Sequence, residues 1–377
     1  MKLSRAGVIA AGVLAGVVTL TACGSDTNNT SAGGGTTTAG SAAASSATNS
    51  SATTCASGSL KGEGSTAQQN AMSQWIKDYQ SKCSGATINY NGTGSGAGVK
   101  QFNGNQVDFA GSDSALNPDK GEVAAAQKRC GSVPLNLPMV TGPIAVAYKL
   151  NGVDKLVLTP DVMAKIFLGQ IKTWNDPAIK AINSGANLPS TPITVFFRSD
   201  SSGTSNNFQK YLAAAAPTVW TAKPDNVWQG KTGQGKAKSQ GIQQAVQSTE
   251  GGIGYLEWSY AVSGNLTYVQ VNNGGGAVEL TADTAGAAVA QATVVGVGND
   301  LTLKLNYTTK DPNSYPIILV TYEIVCTKYS NAGIGSLVKA FFGYTAGAGQ
   351  NGLKDLGYAP LPSAIQTKVQ ASVNAVS

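Results

Sequence analysis

The stretch FFRSDSSGTSNNF, residues 196–208, sets Arg198 and Asp200 beside a run of serines and one threonine around Gly203. Three chemistries fit these residue types. One is a nucleophile site built on Ser199 or Ser202. A second is a polar turn with a local Arg–Asp pair. The third is a socket for an anion, because the planar guanidinium fork of arginine matches the edge of a tetrahedral oxyanion. In the third reading Asp200 holds Arg198 in place, and Ser202, Gly203 and Thr204 supply donors at a helix start.

The chain contains no histidine. That removes Ser-His-Asp and Cys-His catalysis and every His-ligated metal site. The nucleophile elbow G-x-S-x-G is also missing from RSDSSGTS. A serine-dependent phosphoester hydrolase would need lysine as its base. The residues favour binding over catalysis, with no cofactor and no metal.

Three further turns carry the same chemistry. KGEGSTAQQ (61–69) places Ser65 and Thr66 after two glycines and before a helix. NGTGSGAGVKQF (91–102) sets Ser95 among glycines. It lacks the Walker A ending and is not a clean dinucleotide fingerprint. FAGSDSAL (109–116) carries Asp113, which could be a plain N-cap. A carboxylate suits an anion site only if the anion carries a proton. Phosphate near neutral pH has at least one O–H, which an ionised Asp113 can accept. Sulfate has none and would be repelled.

Elements that could position these turns alternate along the chain. Helical spacing runs through TAQQNAMSQWIKDYQSKC (66–83), and strands are expected at ATINYNG and VDFAGSD. KGEVAAAQKRC is helical. LPMVTGPIAVAYKL reads as a long strand crossing between units, despite its prolines. A helix is expected over TPDVMAKIFLGQIKTW (159–174), with Thr159 as N-cap and Pro160 at its first position. PITVFFRSD is a strand, TSNNFQKYLAAAA a helix, and SYPIILVTYEIVC a β-branched strand. Alternation of this kind implies an α/β fold, in which ligands bind beyond the carboxyl ends of strands. Trp174, Tyr255 and Trp258 read as packing residues.

The chain has 377 residues, enough for about two domains. Its formal charge is +6, or +4 without Lys2 and Arg5, and no basic block appears, so nucleic acid is not an expected partner. Residues 1–22 read as an export signal. LTAC, ending at Cys23, matches a lipobox, so Cys23 is the expected lipidation site and new N-terminus. The mature chain would then be anchored by acyl chains, palmitate among them, not spanning the membrane. Residues 23–56 read as a flexible tether of Gly, Ser, Thr, Ala and Asn. Four cysteines remain after Cys23. In an oxidising compartment Cys55, Cys83, Cys130 and Cys326 form two disulfides, and the favoured pairing is Cys83–Cys130 with Cys55–Cys326.

These motifs occur in a familiar order. GEGSTA, YNGTGSGAGVKQF, DFAGSDSAL, GPIAVAY, IFLGQIKTWNDPAI, PITVFFRSDSSGTSNNFQKYL, GGIGYLEWSYA and SYPI together resemble the substrate-binding proteins of the bacterial phosphate-specific ABC transporter, in their lipid-anchored form. The resemblance covers roughly residues 58–370. It implies a type II periplasmic-binding-protein (Venus flytrap) fold, with two α/β domains joined by hinge strands. Domain I would be 57–141 with 313–377, and domain II 142–312. It further implies phosphate contacts at Thr66, Ala67 (through its amide), Ser95, Asp113, Arg198, Ser202, Gly203 and Thr204, with Asp200 orienting the arginine. Many relatives carry phenylalanine where this chain has Ala67. The implied protein is a monomer, not an enzyme, on the outer face of the cell membrane, and it delivers phosphate to the permease subunits and ATPase of an importer. Binding of another oxyanion is the alternative. The segment KTGQGKAKSQG (231–241) departs from the family pattern and has no assigned role.

Overall fold

The computed structural model describes residues 53–377. The expected export signal, the expected lipidation site Cys23 and the expected tether up to residue 52 lie outside the described residues.

In chain order the elements are β1 (Gly58–Gly64), α1 (Gln69–Lys82), β2 (Ala86–Gly92), α2 (Ser95–Asn103), β3 (Phe109–Ser112), α3 (Glu122–Cys130), β4 (Pro134–Tyr148), β5 (Val157–Leu158), α4 (Pro160–Phe167), α5 (Pro177–Ile182), β6 (Thr194–Arg198) and α6 (Gly203–Ala215). There follow β7 (Gln234–Lys236), α7 (Lys238–Ser248), β8 (Gly252–Glu257), α8 (Trp258–Ser263), β9 (Thr267–Tyr268), β10 (Gln270–Asn272), β11 (Ala277–Val278), α9 (Ala282–Ala290), β12 (Thr293–Val294), β13 (Leu303–Lys304), β14 (Ile318–Cys326), α10 (Ala332–Ala346) and α11 (Ser363–Asn374).

The main sheet runs β2-β1-β3-β14-β4-β8-β6-β7, with β9 also paired to β4. β1 is parallel to β2 and β3, and β6 is parallel to β7 and β8. Between these two parallel groups lie β14 and β4, antiparallel to each other. β4 is one strand of 15 residues, all buried. Its first part, from Pro134 to Pro143, pairs with β14, and its last part, from Ile144, pairs with β8. Proline lacks the N–H that a central strand needs. Here Pro138 faces the register shift after Thr321, and Pro143 sits where β4 changes partner, so neither interrupts a regular ladder.

The structure corrects three expectations. Gly62 and Gly64, read as part of a turn over 61–69, instead belong to the strand β1, which runs to Gly64. Helix α4 ends at Phe167 instead of reaching Trp174, because Gly169 turns left-handed at φ +71° and reverses the chain. Thr159 does accept from the Val162 amide as its N-cap, and Pro160 opens the helix. The disulfides are Cys55–Cys83 and Cys130–Cys326, not the favoured pairing, with Cα–Cα distances of 5.3 and 5.4 Å. Sequence proximity of Cys83 and Cys130 misled. Cys83 caps α1, whose return into β2 brings it beside the residues leading into β1. Cys130 ends α3, and the following strand β4 pairs Pro134 with Cys326.

The core is continuous across the sheet and its covering helices. Trp75, Tyr79, Phe102, Phe109 and Phe342 fill one end. At the other, Phe167, Phe208, Trp228 and Tyr255 form a ring cluster with centroids 4.6 to 6.2 Å apart. This second cluster sits directly beneath Arg198, since the Tyr255 hydroxyl accepts from the Arg198 amide at 3.1 Å. Trp174 and Tyr255 are fully buried and Trp258 half-buried.

Candidate functional site

Four helices begin at one point. The turn Ser65–Ala67 leads β1 into α1, Ser95 opens α2, Ser202 caps α6, and Lys238 and Ser239 open α7. Each follows a strand, as the parallel parts of an α/β sheet require. Contacts knit the four together. Thr66 Oγ1 lies 2.8 Å from Ser239 Oγ, and the Gly96 amide donates to the Ser201 carbonyl at 3.1 Å. A β-carbon added at Gly203 would stand 2.5 Å from the Asp113 β-carbon and 2.6 Å from Ser95 Oγ, so the start of α6 presses against both. Helix N-termini carry unpaired amides and a partial positive charge, which attract anions.

The predicted residues gather at this point. Thr66, Ala67, Ser95, Asp113, Arg198, Ser202 and Thr204 are all buried, with Gly203 among them and Asp200 at the rim. Ser202 Oγ accepts from the Ser205 amide at 3.2 Å and so caps α6. The Ala67 amide donates to Ser65 Oγ at 3.0 Å, and the Ala67 carbonyl accepts from the Tyr358 hydroxyl at 2.7 Å.

Asp113 is held by hydroxyls. Its Oδ1 accepts from Ser65 Oγ at 2.5 Å and Thr321 Oγ1 at 2.7 Å, while Oδ2 accepts from Ser95 Oγ at 3.0 Å. A carboxylate offers about four acceptor sites. The oxygen with capacity left is Oδ2, which is also the one facing Gly203. Burial, then the charge of Glu257, pushes the Asp113 pKa up to about 6, against the pull of the three hydroxyls. At neutral pH the group is therefore mostly ionised and accepts hydrogen bonds.

Arg198 is held by charge. Its Nε and a terminal nitrogen donate to Asp200 at 2.7 and 2.5 Å in a fork. The remaining Nη1 donates to Ser239 Oγ at 3.1 Å and weakly to Thr204 Oγ1 at 3.4 Å. Burial alone would lower the guanidinium pKa, but the Asp200 bond and charge raise it overall. Asp200, which also accepts from the Lys238 amide at 3.0 Å, is itself lowered: burial raises it, and the bond and charge of Arg198 outweigh that. Thr204 Oγ1 donates to the buried carboxyl of Glu257. The socket therefore holds little surplus positive charge. It can meet an anion chiefly through aimed dipoles.

Ser65 was read as a hydroxyl of the turn 61–69; Ser239, Glu257 and Thr321 were missed. Ser239 lies in the glycine-rich segment 231–241 that had no role. That segment forms β7 and delivers Ser239 to Arg198. The signal for it was the helical spacing of Ile242, Ala245 and Val246, which makes Ser239 a helix start like the other three. Nothing local marks Thr321 or Glu257, because both sit inside apolar strands and reach the site only through sheet order.

A family model described as a PBP superfamily domain matches residues 49–348. Solved structures agree on that fold. A high affinity periplasmic phosphate-binding protein (PfluDING) bound with phosphate superposes with TM-score 0.67 at 22% identity, covering 83% of this chain and 93% of its own. A phosphate-binding protein from Stenotrophomonas maltophilia gives TM-score 0.61 at 19% identity, covering 83% and 93%. The fold is thus that of the periplasmic-binding-protein superfamily. Sequence relatives narrow this. Phosphate-binding protein PstS 3 of Mycobacterium tuberculosis is 47% identical over 381 residues, covering 100% of both chains. Phosphate-binding protein PstS 2 of the same organism is 45% identical with equal coverage. PstS of Pasteurella multocida is 33% identical over 335 residues, 84% of this chain and 90% of its own. The chain belongs to the PstS family of phosphate-binding proteins.

Proposed function

We infer that the protein binds inorganic phosphate outside the cytoplasm and hands it to the membrane permease of an ABC importer. The observation that carries this reading is Asp113, whose Oδ2 faces the start of α6 with acceptor capacity to spare. That oxygen takes the hydrogen of a protonated oxyanion and repels an unprotonated one. Arg198, aimed by Asp200, supplies the single cation. Thr66, the Ala67 amide, Ser95, Ser202, Gly203 and Thr204 supply dipoles around the anion. Ser239 joins this set.

Domain I is taken as 57–141 with 313–377 and domain II as 142–312, hinged where β4 changes partner near Pro143. Ser95 and Asp113 stand against Gly203, as a closed cleft requires, and the bound anion's contacts on both faces would favour that closed state. No catalytic step is invoked: the hydroxyl of Ser202 caps a helix, and the lysine base that a hydrolase would need is not among its partners. Anchoring through lipidated Cys23, on the tether 23–56, would keep the module close to the permease. Replacing Cys23 with serine should abolish incorporation of labelled fatty acid and release the chain from membranes.

Calorimetry on the ligand-stripped chain tests the reading. Phosphate and arsenate should bind tightly at pH 7, and sulfate weakly. Sulfate binding as tight as phosphate would overturn the role of Asp113.

A further inference from the structure

Beside the socket lies a cavity of about 470 Å³, bounded by Asp113, Asn206, Asn207, Lys210, Lys304 and Lys120 among others. It shares a wall with the socket. Gly203, Asn207 and Lys210 recur at helical spacing along α6, so the face that begins at the socket continues into the cavity. Asn207 ties the two together: its Nδ2 donates to the carbonyls of Asp113 and Gly203 at 2.6 and 2.9 Å, and its Oδ1 accepts from the Tyr307 hydroxyl at 2.6 Å.

The two spaces differ in how their cations are paired. In the socket the arginine is neutralised by Asp200. In the cavity, Lys210 and Lys304 form no ion pair among the described residues. Lys120 pairs with Asp225 at 2.8 Å. The carboxyls that reach this space hold hydrogen bonds of their own: Asp113 accepts from three hydroxyls and turns Oδ2 toward Gly203 in the socket, and Glu122 accepts from the Asn117 amide at 2.8 Å. Lys210 is only partly exposed, and burial lowers its pKa. An ammonium withdrawn from water without a counterion is unfavourable, and an anion in the cavity relieves it.

We propose that this cavity is a second oxyanion site, which takes one tetrahedral dianion between Lys210, Lys304 and Lys120 in the cleft beside the socket. That its physiological occupant is phosphate rests on the reading above; that it takes an oxyanion does not. Lysine is a point charge with rotatable donors, so the site does not distinguish protonated from unprotonated anions. It binds sulfate as readily as phosphate, unlike the socket. Its positive field also concentrates anions at the cleft and speeds their entry.

The test uses radiolabelled sulfate, added at low ionic strength to full-length chain whose socket is saturated with phosphate. The expected result is one equivalent of weakly bound sulfate, displaced by excess phosphate. Lys210→Met should weaken it about tenfold, and Lys210→Met with Lys304→Met should abolish it. At high salt the tight phosphate isotherm should stay unchanged in both variants, and neither should melt at a lower temperature than the wild type. The same double variant should slow phosphate association about tenfold at low salt, with the difference vanishing at high salt. No sulfate binding to the wild-type chain, or binding untouched by both substitutions, overturns the proposal. A missing tight phosphate isotherm in the wild type instead sinks the socket reading, while the substitution dependence of sulfate binding still judges the cavity.

Discussion

The socket has two faces of different chemistry. On one, Ser65, Ser95 and Thr321 surround Asp113, and no cation takes part. On the other, Arg198 is locked to Asp200 and Ser239, and Thr204 to Glu257. In the reading proposed above the first face would discriminate, because a carboxylate held by neutral donors keeps an acceptor site and a negative charge aimed at the ligand. The second face would attract, because a guanidinium fixed by its own carboxylate has a donor left for the anion. The difference teaches that affinity and choice of anion are separable here. Substitutions on one face should change how tightly oxyanions bind, and on the other which oxyanion binds.

The largest effect should come from breaking the attracting face. Arg198→Met leaves the half-buried Asp200 without its partner, beside an apolar chain. Phosphate affinity should fall by about 3–5 kcal/mol, roughly two to four orders of magnitude, with a lower melting temperature. Calorimetry and thermal melts would measure both. Sulfate should lose as much as phosphate, which marks the loss as one of attraction.

Titration isolates the discriminating face. Asp113 has a native pKa of about 6 against an ordinary 3.8, so the ligand-free native state binds more protons between those values. What Asp113 contributes to stability is fully present below about pH 4 and is lost, by on the order of 3 kcal/mol, as pH rises to about 6. Asp200 works in the opposite direction and only below its ordinary pKa, since its native value is lowered. Denaturant melts across this window should show the decline, and Asp113→Asn should reduce it, leaving the part due to Glu323, whose pKa burial also raises. A flat wild-type profile from pH 4 to 6 would contradict the burial of an ionisable Asp113.

Asp113→Asn should also cost phosphate about 1.5–3 kcal/mol, the worth of a hydrogen bond to a charged group. Sulfate binding should improve in the same variant, so the ratio of the two affinities is the quantity to measure. Gly203→Ala sets a β-carbon 2.5 Å from that of Asp113 and wedges the faces apart. We expect about 1–3 kcal/mol lost from binding, with phosphate and sulfate affected alike. Ser239→Ala should be mildest, about 1 kcal/mol, because Arg198 keeps its fork on Asp200. A larger loss than for Asp113→Asn would show that the segment 231–241 matters more to the site than its single hydroxyl implies.

Much of this site was legible because its residues cluster at strand-to-helix turns. Small and hydroxylated residues there announce a helix start whatever the rest of the chain does. RSDSSGTS, GSGAG and GSDS needed no tertiary information to be noticed. Thr321 and Glu257 lie in strands whose neighbours are Val, Ile, Leu and Tyr, so nothing local sets them apart from core positions. The cysteines show the same limit. Pairing by nearness along the chain favoured Cys83 with Cys130, yet Cys130 meets Cys326 at a sequence separation of 196.

By itself the sequence determined the absence of histidine chemistry, the alternation of strands and helices, and the residue types at four turns. Those are consequences of composition and short-range spacing, which no folding step can alter. Only the tertiary structure decided that the four turns meet, that Ser239 and Thr321 join them, and which oxygen of Asp113 is left to accept. The reason is physical. β4 carries the chain from β14 to β8, and this change of partner sets the discriminating face opposite the attracting one. Local propensity contains no record of which strand a strand will choose.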